Sequence, residues 1–406
     1  MQAYILDWAN LLLRWLHVIT AIAWIGSSFY FVWLDNHLVR PQDPALLRQG
    51  VAGELWAVHG GGFYNPQKYM VAPATLPQDL HWFYWESYFT WMSGFALFTV
   101  LYLCNASTYL IDRNVFDWGP VAAVTAALCF LAVGWVAYDA VCRIAGNGPR
   151  AGRKVGLAVA AFVALAAWLA CQLFAGRAAF LLVGAMIATI MSGNVLMVII
   201  PGQRKVVEAM RAGEPVDPIH GELGKQRSVH NTYLTLPVLF AMLSNHYAMV
   251  YSARHNWLVL AAVMLAGALI RQFFVLRHKG VTNPWYPAGG VALLLAVAAW
   301  VAPPGLANQP APAAAVPFSA ADAGLVQQAV ARRCVVCHNA QLANKGVRLD
   351  TPGQLKAHAQ MVYQQAVMQK TMPLNNATGM TEEERALLGR WFAAGAPLPP
   401  GGTPGG

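Results

Sequence analysis

The chain has 406 residues, of which 57% are hydrophobic and 11% are charged, and its formal net charge is +9. Soluble domains contain about 25% charged residues, so the composition excludes an ordinary water-soluble protein and predicts a membrane protein with more than one domain. The positive charge does not indicate nucleic-acid binding, because the Lys and Arg residues lie in short loops between apolar runs.

Eight apolar runs reach or approach the roughly 20 residues that a membrane-spanning helix needs. They cover Trp8 to Leu34, Trp85 to Cys104, Pro120 to Val141, Val155 to Phe174, Ala178 to Ile200, Tyr233 to Val250, Trp257 to Leu276 and Ala288 to Val301. The predicted fold is therefore all-α, with an eight-helix transmembrane bundle over residues 1–301.

Loop charges predict the orientation of this bundle. The loops after the first, third, fifth and seventh runs carry most of the Lys and Arg residues, whereas the opposite loops carry only Arg113, Arg177 and Arg254. Because basic loops stay in the cytoplasm, we expect both termini to face outward.

An ionisable residue inside a membrane helix indicates function by default. His17, in the first run, is a candidate ligand of a b-type haem, and a packing histidine is the alternative. Its predicted partner is His246, near the outer end of the sixth run, and His230 at the inner end is the other option.

The first cytoplasmic loop runs from about Asp35 to Tyr84 and is far longer than a simple connection, which is typical of a functional loop. It contains His59 within the sequence HGGG, where three glycines permit close approach of the backbone to a ligand. His59, His81 and Glu86 can exchange protons, and we predict them as catalytic residues.

The same region offers side chains that suit a flat anionic ring. Tyr64 and Trp82 supply aromatic faces and Lys68 supplies a cation, so we predict these three as substrate-binding residues. The alternative is an aromatic belt at the membrane surface, which explains Trp82 but not the HGGG sequence.

The C-terminal part is different in character. Residues 302–317 form a Pro/Ala linker, residues 318–397 are predicted to form a small all-α domain of the cytochrome c type, and residues 398–406 are expected to be a disordered tail. Ser319 can cap the first helix of this domain, and Thr381 with Glu384 forms a capping box for its last helix.

A haem-attachment motif, C-x-x-C-H, lies in this domain. Cys334 and Cys337 can form thioethers with the porphyrin, and His338 can bind the iron. A zinc site would need two more soft ligands, of which only His358 is at hand, and a redox dithiol would need a βαβ context. The motif therefore predicts one covalent haem c.

The sixth iron ligand of electron-transfer cytochromes is usually Met. Met361, Met368, Met372 and Met380 compete for this role. Met372 precedes Pro373 in a loop between two helical stretches, from which its side chain can be directed at the iron, so we predict Met372.

Several segments together resemble a known family. They are RWLHVITAIAWIG, HGGGFY, LHWFYWESYFTW, NTYLTLPVLF, SNHY and the CVVCH domain. On these segments the chain resembles the membrane-bound, cytochrome-c-linked urate oxidases of bacteria, also called urate hydroxylases, over essentially its whole length.

The resemblance implies oxidation of urate to 5-hydroxyisourate in purine breakdown. It implies that electrons pass to the attached cytochrome and on to a respiratory acceptor, either a soluble cytochrome or a terminal oxidase. The expected location is the bacterial inner membrane, with several spans and a periplasmic cytochrome c domain.

Two other functions are compatible with the sequence. The chain can be a non-catalytic multihaem electron-transfer subunit that serves a separate dehydrogenase, or a transport protein with a redox-sensing tail. The scarcity of charges inside the apolar runs argues against a transport path for an anion.

Overall fold

The computed structural model describes residues 2–69, 73, 76–146, 151–278, 280–302, 318–343 and 346–397, without the side chains of residues 2, 3, 151, 278 and 320. Helices account for 72% of the chain and strands for 4%. Apart from residue 302, the predicted linker lies outside the described residues, and so does the predicted tail at 398–406.

Helices make up most of the first 300 residues. They are α1 (Gln2–His37), α2 (Pro44–Arg48), α3 (Trp85–Phe98), α4 (Ala106–Tyr109), α5 (Pro120–Ala145), α6 (Ala151–Leu173), α7 (Gly176–Asn194), α8 (Ile200–Ala212), α9 (Pro218–Leu243), α10 (Ala248–Tyr251), α11 (Asn256–His278) and α12 (Trp285–Trp300). A π-helical turn, Thr99–Leu103, extends α3, and a second one, Val195–Ile199, joins α7 to α8. A 3-10 turn, Ser244–His246, joins α9 to α10.

Among the residues that the structure describes, five stretches are long and apolar enough to cross a membrane. They are Tyr4–His37, Pro120–Ala145, Gly152–Leu173, Gly176–Ala212 and Asn256–Arg277. On α1, large apolar side chains such as Trp15 (64% exposed) and Ile22 (66% exposed) are not packed against other parts of the protein. Their exposure is unfavourable in water but not in lipid. The second, sixth and eighth predicted spans do not reach this standard, so the eight-helix bundle stays a prediction.

The sixth predicted helix was placed wrongly. Instead of covering Tyr233 to Val250, α9 begins at Pro218 and ends at Leu243. Asp217 caps it by accepting a hydrogen bond from the Ile219 amide at 2.9 Å, and Pro218 occupies the first helical position, where its missing N–H is harmless. His230 consequently lies in the middle of the helix and not at its inner end.

Four short strands lie in the described part of the first loop, which the all-α prediction did not include. They are β1 (Val51–Glu54), β2 (Ala57–His59), β3 (Gly62–Tyr64) and β4 (Gln67–Tyr69). β1 pairs with β4 and β2 pairs with β3, both antiparallel, so the two hairpins are nested. Val39, just after α1, joins this unit through a bridge to Glu54.

The described residues form two hydrophobic cores, which lie in different parts of the chain. The larger one centres on α7, whose buried residues Phe180, Leu182 and Ile187 are surrounded by α5, α6 and α9. The smaller one lies in the tail, within residues 326–396, and includes Leu388 and Trp391.

The tail is helical in its described part. Its helices are α13 (Ala320–Arg333), α14 (Pro352–Ala357), α15 (Ala359–Val362) and α16 (Glu382–Ala393). A π-helical turn, Tyr363–Met368, follows α15, and a 3-10 turn, Leu374–Asn376, precedes α16. The predicted caps are confirmed, because Ser319 forms a capping box with Asp322 and Thr381 forms one with Glu384.

Candidate functional site

The HGGG sequence forms the turn of the inner hairpin. His59 pairs with Gly62 across β2 and β3, and Gly60 and Gly61 between them have φ angles of +58° and +80°. Two successive positive φ angles define the tight hairpin turn that favours glycine. Among the described residues, none has an atom within 4 Å of a Cβ atom placed at either position, so these two glycines allow the turn to form.

Three predicted site residues lie on the nested hairpins. His59 and Tyr64 are exposed on β2 and β3. Lys68, on β4, forms an ion pair with Asp35 at 2.8 Å, and both side chains are about half exposed. This pair attaches the hairpin unit to the end of α1, so the structure gives Lys68 a local partner.

A surface pocket of about 350 Å³ lies between the end of the first loop and the helices α8 and α9. It is lined by Leu80, His81, Trp82, Gln203, Val206, Val207, His220 and Gly221. Its volume falls within the range of small-molecule sites, which starts near 300 Å³. The pocket brings together His81 and Trp82, two of the predicted residues, with Gln203 and His220, which sequence reasoning missed.

The loop wall of this pocket is fixed to α8. Arg211 donates a hydrogen bond to the Gln78 carbonyl at 3.0 Å, which holds the chain just before His81 against that helix. Glu86, the remaining predicted catalytic residue, is the second residue of α3 and is not among the residues that line the pocket.

His17 packs on α3. Its Nδ1 lies 3.0 Å from the Thr90 carbonyl and 3.3 Å from the Ser93 hydroxyl, and the ring sits where a side chain on Gly94 would collide with it. Donation from Nδ1 to the carbonyl would leave Nε2 as an acceptor, the form that binds a metal.

His246 has different neighbours, because its 3-10 turn packs against α7 and α9. Among the described residues, no group of three or more His, Cys, Asp and Glu side chains is arranged to hold a metal ion. The pairing of His17 with His246 around a b-type haem stays a prediction.

A buried polar cluster lies among α5, α7 and α9. Arg227, 2% exposed, donates to Asp139 Oδ1 at 2.6 Å, and the exposed Arg143 donates to Asp139 Oδ2 at the same distance. The guanidinium carbon of Arg227 stands 5.0 Å from the centre of the Tyr138 ring.

The other side of this cluster is built on Tyr138 and Asn194. The Tyr138 hydroxyl lies 2.8 Å from His230 Nδ1 and accepts from Asn194 Nδ2 at 3.0 Å. Asn194 Nδ2 also donates to Asn231 Oδ1 at 3.0 Å, and Asn231 donates to the Met191 carbonyl. Of these residues, the sequence pointed to His230 as an optional haem ligand and to Asn231 as the first residue of the NTYLTLPVLF segment.

The C-x-x-C-H segment forms a single turn at the end of α13. The Cys337 and His338 amides both donate to the Cys334 carbonyl, at 3.1 and 3.0 Å, so the thiols and the imidazole come from one turn. His338 Nδ1 lies 3.2 Å from the Val347 carbonyl, which orients the ring. Burial raises the pKa of the Cys334 thiol to about 11.

The four candidate methionines differ in their surroundings. Met380 is buried in the small core, whereas Met361 and Met368 are about half exposed. Met372 is partly buried against that core, and its main chain is fixed, because its amide donates to the Gln365 carbonyl and its carbonyl accepts from Arg385 at 2.8 Å. The structure therefore holds the Met372 loop in place.

The tail contacts the membrane part close to Met372. Asn375, in the following 3-10 turn, donates from Nδ2 to the Thr108 carbonyl of α4 at 2.7 Å. α4 lies in the loop between α3 and α5, which the charge pattern predicts to face outward.

These features define a mostly helical protein with apolar helices long enough to cross a membrane, an ion pair buried between α5 and α9, and a helical tail with a C-x-x-C-H turn. Residues 3–302 match the family model described as urate oxidase N-terminal, and the chain belongs to that family. No curated protein and no solved structure matches the chain.

Proposed function

We propose that this protein oxidises urate to 5-hydroxyisourate and delivers the electrons to a haem c bound in its own tail. The match to the urate oxidase N-terminal family over residues 3–302 is the observation that carries the proposal. The reaction balances when the urate monoanion and one water give 5-hydroxyisourate, two electrons and one proton. A one-electron acceptor such as haem must therefore be used twice per urate.

The tail residues fit a covalent haem. Cys334 and Cys337 would hold the porphyrin, and His338 and Met372 would bind the iron. Two observations support this set: the His338 ring is oriented by the Val347 carbonyl, and the Met372 main chain is fixed by Gln365 and Arg385. A haem bound there would accept and release single electrons, with Met ligation raising its potential.

The membrane topology in this proposal is the one that the distribution of Lys and Arg residues among the loops predicts. The protein lies in the bacterial inner membrane, with basic loops in the cytoplasm and the tail in the periplasm. The contact from Asn375 to Thr108 supports this arrangement, because it joins the tail to a loop on the predicted outer side. A respiratory acceptor, either a soluble cytochrome or a terminal oxidase, would take the electrons onward from that side.

Urate would enter from the cytoplasm through the pocket at His81 and Trp82. The indole of Trp82 offers a flat surface, and His81 and His220 offer imidazoles that can donate to an anion or accept a proton. His59, Glu86, Tyr64 and Lys68 lie outside the pocket lining, so the proposal retains His81 and Trp82 from the predicted set.

The decisive experiment uses the full-length protein, purified in detergent and kept free of oxygen. Urate is added to the oxidised protein, and its ultraviolet absorbance is followed together with the haem c α-band. The expected result is loss of urate with two haem equivalents reduced per urate. The protein should also give a haem-staining band on a denaturing gel.

Variants sharpen this test. Replacing both Cys334 and Cys337 with Ser should abolish the haem-staining band and the reduction by urate, whereas Cys104→Ser, at an exposed cysteine of the membrane part, should change neither. A haem-bearing wild-type protein that does not respond to urate would reject the proposal and favour the non-catalytic electron-transfer subunit.

A further inference from the structure

The buried cluster around Arg227 has polar groups whose hydrogen bonds are incomplete. Within the part of the chain that the structure describes, Arg227 Nε and Nη1 and Asn194 Oδ1 are buried without a hydrogen-bond partner. Asn194 is fully buried and Arg227 is 2% exposed. A buried donor or acceptor without a partner is unfavourable, so the unpaired donors and the unpaired acceptor of this cluster are available to a bound molecule.

The charges of the cluster favour an anion. Two guanidinium groups, from Arg227 and Arg143, share the single carboxylate of Asp139, which leaves one positive charge in excess. Arg143 is largely exposed at the end of α5 and can be neutralised by water and counterions, whereas Arg227 cannot. Asp139 can therefore balance the charge of Arg227, and the two unpartnered N–H groups of that buried guanidinium remain available to the acceptor atoms of an anion.

The remaining groups fit a flat ring. The Tyr138 phenol provides an aromatic neighbour, and the amide of Asn194 keeps its carbonyl oxygen unused because its nitrogen donates to Tyr138 and Asn231. A ligand must then accept hydrogen bonds from Arg227 and donate one to Asn194. An oxopurine anion, with carbonyl oxygens and ring N–H groups, has both.

We infer that Arg227, Asn194, Tyr138 and His230 form the buried site that binds the anionic purine during its oxidation, and that the surface pocket is the mouth of this site. The inference rests on the proposed function and names the place where urate is held. His220 lines the pocket and stands seven residues before Arg227 on α9, so the two lie on one face of the helix about 10 Å apart along its axis.

Binding can be measured apart from turnover. Full-length protein is fully reduced before urate is added without oxygen, so that urate cannot be oxidised, and the bound fraction is determined by equilibrium dialysis. The first variant combines Asp139→Asn with Arg227→Gln, which removes both buried charges without leaving either unpaired. The second is Asn194→Leu, which removes the unpaired acceptor at similar size.

Both variants should raise the Kd for urate about 10- to 100-fold, as expected for loss of charge-assisted or buried hydrogen bonds. Arg143→Gln is the matched control, since Arg143 contacts the same carboxylate from the exposed side, and its Kd should stay within about twofold of wild type. Thermal melting and haem staining report whether each variant is folded.

The outcomes separate the two proposals. If folded variants bind urate as tightly as the wild type, the cluster is a structural ion pair satisfied by water and the inference is wrong, even where wild-type haem is reduced by urate. If the oxidised wild type shows no urate-dependent reduction, the proposed function fails instead. A fall in affinity of the same size in Arg143→Gln would also overturn the inference, because it would show a general charge effect.

Discussion

Arg385 offers a quantitative test of how the tail holds the Met372 loop. The residue is 5% exposed, and its Nη1 donates to the Met372 carbonyl at 2.8 Å and to the Ala366 carbonyl. Its Nε lies 3.7 Å from a carboxylate oxygen of Glu382. Arg385→Met keeps the apolar stem but removes every one of these donors.

The expected loss of stability follows from these contacts. A hydrogen bond to a charged group contributes about 1.5–3 kcal/mol, and the buried Ala366 carbonyl and the partly buried Met372 carbonyl lose their donor together. The tail should therefore lose about 3–5 kcal/mol, which is a large part of the 5–15 kcal/mol typical of a whole domain. For a domain of this size, such a loss lowers the Tm by roughly 12–40 °C.

The assay uses the full-length protein. Samples are heated, treated briefly with protease, and the tail peptides are quantified by mass spectrometry, so the result does not depend on haem. Lys370→Met is the matched control, because Lys370 pairs with the same Glu382 at 2.7 Å but is half exposed, and such pairs contribute at most about 1 kcal/mol. If Arg385→Met shifts the melting of the tail no more than Lys370→Met does, the structural account of the Met372 loop is wrong.

Three further predictions concern other parts of the chain. His17→Ala should remove haem b from purified protein, as measured by pyridine haemochrome spectra; a wild type without haem b, or a variant with unchanged content, contradicts this. Hydrogen bonds from Ser319 lower the pKa of Asp322, and hydrogen bonds from Arg348 lower the pKa of Asp350. The two ionised carboxylates therefore stabilise the tail at neutral pH, and this stabilisation is lost as the pH falls below about 4. A melting temperature of the tail that stays constant from pH 6 to pH 3 would contradict this prediction. Gly61→Ala, at a φ of +80°, should destabilise the inner hairpin by about 1 kcal/mol and speed its amide exchange, whereas Gly156→Ala, in a helix with free space around it, should not.

The sequence predicted the apolar helices well and the polar one badly. Runs such as Pro120 to Val141 face lipid or the core on every side, so average hydropathy locates them. The middle of α9 carries Arg227, His230 and Asn231, which lower the average hydropathy although these side chains contact other helices. The average hydropathy of a segment cannot distinguish a polar side chain that forms its hydrogen bonds with other protein groups from one that forms them with water.

Only some residues of the candidate site could be predicted from the sequence. His81 and Trp82 were singled out by their composition, but Gln203 and His220 come from segments more than 100 residues away and carry no local signal. The two glycines after His59 correctly indicated an unusual backbone conformation. The positive φ angles of the two-residue hairpin turn account for these glycines without a ligand. The C-x-x-C-H turn was predictable because its residues are adjacent in the chain.

The π-helical turn Val195–Ile199 affects which surfaces the side chains of α7 and α8 contact before and after it. Each residue of a regular α-helix turns the chain by about 100°, and a π turn accommodates one extra residue. Asn194, before it, points into the interior, while Gln203, after it, lines the surface pocket. Deleting the extra residue would convert the wide turn into a regular α-helical turn and keep the two faces in register. Deleting a residue from the regular helix α8 before Gln203 would instead rotate the residues that follow it by about 100° relative to α7. The pocket wall would then lose its alignment with the interior while both helices stayed intact.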